Sequence, residues 1–394
     1  MANHSIKFYP VDNGDTTLIT LSDNTTILID CKLRASAEDE EDKEKYDVKK
    51  DLVESIKKRD NNPFVDVFIL THPDQDHCLG FSKNFYCGDP SKYKKENRDN
   101  DEIVIDELWA TSMLFDVVTN DDAKALKKEA ERRRKLWDED RAEKDKPGNR
   151  ICMIGYNGDE KFENVESYVP GNTITEINNK VQTNFELFVH SPFKKTLIAA
   201  TSEKDKNYSS IVMQARFKVN ASDKDFTTFF LFGGDADHYS WKEVLDKSKK
   251  HKNEDKLKWD IFLSPHHCSW TYFNNVPYDE KEENKTPKKS SLDILNYKVG
   301  KGKIVASSKV IRKHDKNPPH WEAKQQYLKK LDSNDNFLEL AKIPSEDEPK
   351  PVIFKITPQG PVRDDNKKQG SSATSAGGSL GAVKSKGEYG SETV

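Results

Sequence analysis

The sequence predicts an α/β protein, a sheet covered by helices on both faces, and two observations predict it. Three apolar runs, 65–70 (VDVFIL), 226–232 (FTTFFLF) and 259–263 (WDIFL), are too continuous for a sheet with one wet face. Around them lie stripes of helical period, such as Val48, Leu52, Val53 and Ile56.

Each run ends in side chains that bind divalent ions. The first passes into THPDQDH, which sets His72, Asp74, Asp76 and His77 within one short loop stiffened by Pro73. The second ends in GGDAD and supplies Asp235, and the third ends in SPHHCSW and supplies His266 and His267. Imidazole and carboxylate hold zinc, manganese or iron, and open α/β sheets gather ligands beyond the carboxyl ends of their strands. A polar turn with Asp76 as a helix cap accounts for one such loop. Three of them point to a multi-metal site.

Along the chain, 5–30 reads as three short strands joined by polar turns at Asn13-Gly14 and 22–25. An acidic loop, 36–47, precedes the helix at 48–56. Residues 88–180 differ in texture from what precedes them. Within them, 120–146 places Ala123, Leu126, Ala130 and Trp137 on one helix face, with Lys124, Lys127, Lys128, Arg132, Arg133, Arg134 and Lys135 elsewhere. Such basic density suits a solvated surface or a phosphate backbone. Runs at 151–156 and 165–170 are expected to form a small sheet that anchors this helix as a lid. Strands follow at 185–192, 209–219, 303–307 and 352–356, with a charged loop at 279–291 and a helix at 320–331. From 358 to 394 glycine, serine, lysine and glutamate replace apolar periodicity, and a disordered tail is expected.

Apolar and charged residues each make up 34% of the 394 residues, so the core must be compact and the helix faces highly solvated. No stretch approaches the about 20 apolar residues of a membrane span, and the N-terminus lacks a signal peptide's apolar centre. Five scattered cysteines, at 31, 78, 87, 152 and 268, suit a reducing compartment. A soluble, cytoplasmic protein without a membrane partner is expected.

The order of these pieces resembles the metallo-β-lactamase fold and, within it, the soluble hydrolase domain of ComEC-type competence proteins. FYPVDNGD at 8–15 is similar to that family's opening strand and turn, Leu28, Ile29 and Asp30 to its next strand end, and 72–77 to its H-x-D-x-D-H loop. Asn207 and Ser210 match its N-x-x-S strand, Gly234 and Asp235 its GD turn, and 265–269 its PHHGS loop, with Cys268 where the family has glycine. NPPH at 317–320 weakly echoes a late histidine element, and the carboxylate at Asp74 agrees with the ComEC-like branch. The resemblance covers about 5–357.

It implies a four-layer αββα sandwich, a hydrolase domain over 1–357 with a helical and small-sheet insertion at about 88–180. It also implies two divalent ions, zinc or manganese with iron admissible, held by His72, Asp74, Asp76, His77, Asp235 and His266. His190, His267, His320 and Asp237 are further ligands or residues that orient ligands, and Asp76 and His77 take the catalytic role. Asp237 and His238 alternatively cap the helix that begins near Trp241. Asp12, Asp15 and Asp30 are assigned to turns, and Cys78 and Cys268 to packing beside the site. Two ions about 3.5–4 Å apart suit phosphodiester hydrolysis by an activated water. The expected function is therefore a phosphodiesterase or nuclease acting on nucleic acid or another phosphodiester. A thioester, lactone or β-lactam hydrolase and a non-catalytic metal-stabilised binding module are the alternatives the same ligands allow.

Overall fold

The computed structural model of the chain describes residues 3–34, 46–116, 118–155, 162–194, 197, 206–276 and 282–364. Most of the acidic loop at 36–47, part of the charged loop at 279–291 and all of the tail beyond 364 lie outside the described residues.

Two large sheets carry the fold. In chain order the strands are β1 (Ser5–Phe8), β2 (Thr17–Thr20), β3 (Thr26–Ile29), β4 (Lys57–Arg59), β5 (Asn62–Ile69), β6 (Val104–Ala110), β7 (Arg150–Ile154), β8 (Glu166–Tyr168) and β9 (Thr173–Ile174). They continue with β10 (Glu176–Ile177), β11 (Lys180–Val181), β12 (Phe185–Ser191), β13 (Val212–Phe217), β14 (Thr228–Phe232), β15 (Trp259–Leu263), β16 (Lys298–Ala306), β17 (Phe337–Glu339), β18 (Val352–Thr357) and β19 (Gly360–Arg363). The first sheet runs β19-β18-β1-β2-β3-β5-β6-β7-β8 with β4 beside β5, and the second runs β17-β16-β15-β14-β13-β12-β9. Strands β3, β5, β6, β7 and β8 pair in parallel, as do β14, β15, β16 and β17. The carboxyl ends of β3 and β5 in one sheet and of β14, β15 and β16 in the other lead into the ligand loops.

The helices are α1 (Val48–Ser55), α2 (Asp121–Asp138), α3 (His238–Lys250), α4 (Lys289–Leu295) and α5 (Trp321–Leu328), with shorter turns between them. Alternation along the strands sorts their side chains into separate cores. Ile27, Ile29, Val67 and Ile69 meet Met213, Phe230, Phe232, Ile261 and Leu263 in a core shared by both sheets. Their neighbours Leu28, Phe68 and Leu108 pack instead with Leu52 of α1 and Ala123, Leu126 and Ala130 of α2. On the second sheet Leu231, Phe262 and Ile304 pack with Trp241 and Val244 of α3, Ile294 of α4 and Tyr327 of α5. Each sheet is thus covered on both faces, which is why its parallel strands are apolar throughout.

Three expectations change. The strands anticipated at 151–156 and 165–170 exist as β7 and β8, but they extend the first sheet beyond β6 and form no small sheet of their own. Helix α2 buries its apolar stripe in the second core and is not a lid. The C-terminal hairpin of β18 with β19 carries the fold to Arg363, past the boundary at 357.

One buried acid gives the fold a pH signature. Asp260 on β15 accepts the Phe229 amide at 3.0 Å, and burial pushes its carboxyl up to about 7. An acid raised above its unfolded value of about 3.9 is easier to ionise in the unfolded chain, so it weakens the fold progressively as pH climbs from 3.9 to about 7. Asp260→Asn is expected to be near neutral at about pH 4 and stabilising by on the order of 1–3 kcal/mol at about pH 8. Urea denaturation at the two pH values measures the difference, and equal effects would show that the carboxyl titrates normally.

Candidate metal centre

The strand ends converge on Asp235. Its turn is possible only because Gly234 adopts φ +47°, and a Cβ there would lie 2.5 Å from Thr71 Oγ1 and 3.4 Å from His72 Nδ1. The β14 turn is therefore pressed against the β5 loop, and glycine permits the approach. Gly14 serves the opposite side in the same way, since a Cβ there would stand 2.5 Å from the Asp76 carbonyl.

The two carboxylate oxygens of Asp235 face two sets of donors. Oδ1 lies 3.0 Å from His77 Nε2 and 3.5 Å from His267 Nε2, and His267 Nε2 is also 3.0 Å from Asp76 Oδ2. Oδ2 lies 3.7 Å from His72 Nε2 and 3.5 Å from His266 Nε2, and His72 Nε2 is 3.7 Å from Asp74 Oδ2. The ligand atoms of His72, Asp76, His77 and Asp235 all fall within 4.8 Å of one another. Asp74, Asp76 and His266 keep a partly exposed side, while His72, His77 and His267 are buried behind them.

Local hydrogen bonds aim these rings. Asp30, at the end of β3 with φ +55°, accepts Thr71 N at 2.7 Å, the Thr71 hydroxyl at 2.6 Å and His77 Nδ1 at 2.8 Å. With its Nδ1 proton given to Asp30, His77 faces Asp235 through Nε2, which donates a proton to that carboxylate in this structure and would offer its lone pair to a cation, the carboxylate–histidine arrangement that orients metal ligands. The Thr71 hydroxyl spends its proton on Asp30 and so accepts from His72 Nδ1 at 3.2 Å. His72 Nε2 is then a buried lone pair with no hydrogen-bond partner, which calls for an electron-pair acceptor. His267 Nδ1 sits 3.1 Å from both the Gly14 amide and the Ser307 carbonyl. His266, His267 and Cys268 all adopt left-handed φ, at +49°, +54° and +66°. Such strain in consecutive non-glycine residues persists only where the surroundings enforce it, and here it splays the two rings around Asp235.

Without a cation, protons balance the charges. Burial pushes the Asp235 carboxyl up, but His266, His267, His77 and His72 outweigh it and hold the group well below the usual carboxylate range. Burial pulls His77 down, yet Asp235 and Asp30 hold it well above the ordinary imidazole value. His72 is lowered, by burial first and then by His77. Burial raises Asp15 to about 6 against the pull of His267 and His77.

The remaining candidates stand apart from these donors. His190 donates from Nε2 to the Lys256 carbonyl at 2.8 Å and lines a separate cavity with Phe188 and Lys247. His320 accepts the Trp270 amide on Nδ1 at 3.0 Å and reaches the Lys316 carbonyl with Nε2 at 3.3 Å, so it braces the 266–268 loop. Asp237 caps α3 by accepting Ser240 N at 3.0 Å, and His238 Nδ1 meets Ser291 Oγ. Cys78 and Cys268 are buried in the apolar cores.

Asp15 and Asp30, read as turn residues, stand inside the cluster. Asp15 lies 4.0 Å from both His77 Nδ1 and His267 Nδ1. Their short VDNGD and LID contexts are the available signals. Asp30→Asn keeps the shape but removes the charge behind His77, and metal affinity is expected to fall by about 10–100-fold. Competition against a coloured chelator reads this directly, and an unchanged affinity would return Asp30 to a turn role.

The chain matches no known protein-family profile and no curated protein sequence, so its functional reading rests on this geometry.

Proposed function

We propose that the protein is a metal-dependent phosphodiesterase or nuclease on a four-layer αββα sandwich of the metallo-β-lactamase type. The observation that carries this reading is the division of donors around Asp235, with the unpartnered His72 Nε2 among them. His72, Asp74 and His266 would hold one divalent cation with Asp235 Oδ2, and Asp76, His77 and His267 a second with Oδ1. Nitrogen and carboxylate donors fit zinc, manganese or iron. Such a pair supplies Lewis-acid polarisation of a phosphoryl oxygen and lowers the pKa of an attacking water.

The chain's own residues provide the rest. Asp30 and Thr71 fix the tautomers of His77 and His72, and Gly14 and Ser307 fix the ring of His267. Asp76, on the solvent side and beside His267, is placed to guide a proton between the reacting centre and water. The core shared by both sheets and the two cores outside them support the sandwich. Among the described residues no helix is long and apolar enough to cross a membrane, and free cysteines support a cytoplasmic location.

The test is a chelated protein titrated with zinc, manganese and iron(II) against a small phosphodiester, single-stranded DNA, RNA, a lactone and a thioester. Cation-dependent cleavage of phosphodiesters is expected. Turnover of the carbonyl substrates alone would move the site to acyl chemistry.

A further inference from the structure

Beside the cluster runs an exposed loop, residues 308–320, in which Lys309, Arg312, Lys313, His314 and Lys316 all face solvent and Asp315 is the single acid. The whole chain carries a net charge of −4, so this concentration of bases is local. Lys309 lies 3.7 Å from Asp315 and Arg312 pairs with Glu346, both exposed contacts of small energy in water. Lys313 rests over the Trp321 ring at 5.5 Å, and no described carboxylate pairs with Lys313 or Lys316.

The loop is tied to the metal donors at both ends. The carbonyl of Ser307, just before it, accepts from His267 Nδ1, and the Ser307 hydroxyl donates to the Gly14 carbonyl. Lys309 N donates to Asn13 Oδ1 at 3.0 Å, Asn13 Nδ2 donates to the Pro318 carbonyl at 2.7 Å, and His320 N donates to the Cys268 carbonyl at 3.0 Å. Asn13 thus joins the loop to the Gly14–Asp15 turn, and Cys268 joins it to the histidine loop. The basic side chains line none of the three described cavities and are spread over positions 309 to 316 of the loop.

Helix α2, basic in sequence, is a weaker candidate for such a surface. Arg133 is buried, Arg132 is shared between Glu129 and Asn149, and Arg134 pairs with Asp138.

We infer that the 308–320 loop is the lip along which a nucleic-acid strand lies while one of its phosphodiesters enters the site. This rests on the phosphodiesterase reading and adds that the substrate is a polymer, held by successive phosphates. Exposed cations spread along a loop suit a repeating backbone charge, whereas a monoester needs donors gathered at one point.

The test measures binding of a labelled single strand by anisotropy, with chelator present so that cleavage does not deplete it, and strand cleavage with cation added. The variant is Lys309→Gln with Lys313→Gln and Lys316→Gln, all at exposed positions. Dissociation constant and KM for the strand are expected to rise on the order of tenfold, and the slope of log affinity against log salt to fall by about two units. A control removes the same charge elsewhere, by Lys124→Gln with Lys128→Gln and Lys135→Gln on α2, and its loss is expected to be much smaller. Equal losses in both variants, or binding of polyglutamate as tight as that of the strand, would show a generic charge effect and overturn the lip. Wild-type turnover of the small diester without strand cleavage overturns the polymer inference alone. Failure on every phosphodiester overturns the parent reading, and the anisotropy comparison still judges the lip.

Discussion

Replacing Asp235 by alanine is expected to empty the site and to lower phosphodiester turnover by more than about 100-fold, the upper end for losing a residue that merely supports a ligand. Asp235 faces both donor sets, with Oδ1 toward His77 and His267 and Oδ2 toward His72 and His266. Its removal leaves four imidazoles without their shared counter-charge, so two cations held together lose the group between them. His72→Ala removes one nitrogen from one set, and bound metal is expected to fall by one ion per chain before activity is lost. Asp237→Ala is the control two residues away. It removes the α3 cap, costs about 1 kcal/mol, and leaves the metal in place. Elemental analysis of chelated and reloaded protein, set beside turnover, separates the three. Full metal content and activity in Asp235→Ala would end the proposal.

The parts of this centre that are legible in the sequence are those set by local pattern. An unbroken run such as VDVFIL has to be covered on both faces, so a buried strand with a ligand loop after it can be read directly, and the same holds for FTTFFLF and WDIFL. The supporting carboxylate cannot be read that way. Asp30 is 47 positions from His77, and only the parallel pairing of β3 with β5 brings them to 2.8 Å. Strand β6 is hidden for another reason. Asp106 and Glu107 interrupt its apolar pattern, yet Arg59 grips Asp106 through both nitrogens, at 3.1 and 2.7 Å, and the Asn178 amide reaches Glu107. The acids are tolerated because partners from β4 and the 178 turn arrive across the fold, and a single-sequence pattern contains no sign of them. With β6 hidden, β7 and β8 resemble an island, and a continuous sheet reads as an insertion.

Arg133→Ala is expected to destabilise the fold by about 3–5 kcal/mol, the range for breaking a buried ion pair. Its guanidinium is 1% exposed and makes three internal bonds, to Glu129 Oε1 at 2.8 Å and to the Arg150 and Ile105 carbonyls at 2.9 Å each. The side chain therefore pins α2 to β6 and β7. Truncation opens a cavity, strips two carbonyls of a donor and leaves Glu129 with Arg132 alone. Arg133→Met refills the volume and should recover part of the loss, whereas Arg134→Ala and Lys124→Ala, on solvated pairs of the same helix, should stay within about 0.5 kcal/mol. A helix face that tracked nucleic acid would rank these residues in the reverse order, with strand affinity falling at the exposed positions and stability unchanged at Arg133. Urea midpoints and strand anisotropy on the four variants decide between structural clamp and phosphate track. A stable Arg133→Ala with weakened strand binding would return α2 to the substrate surface.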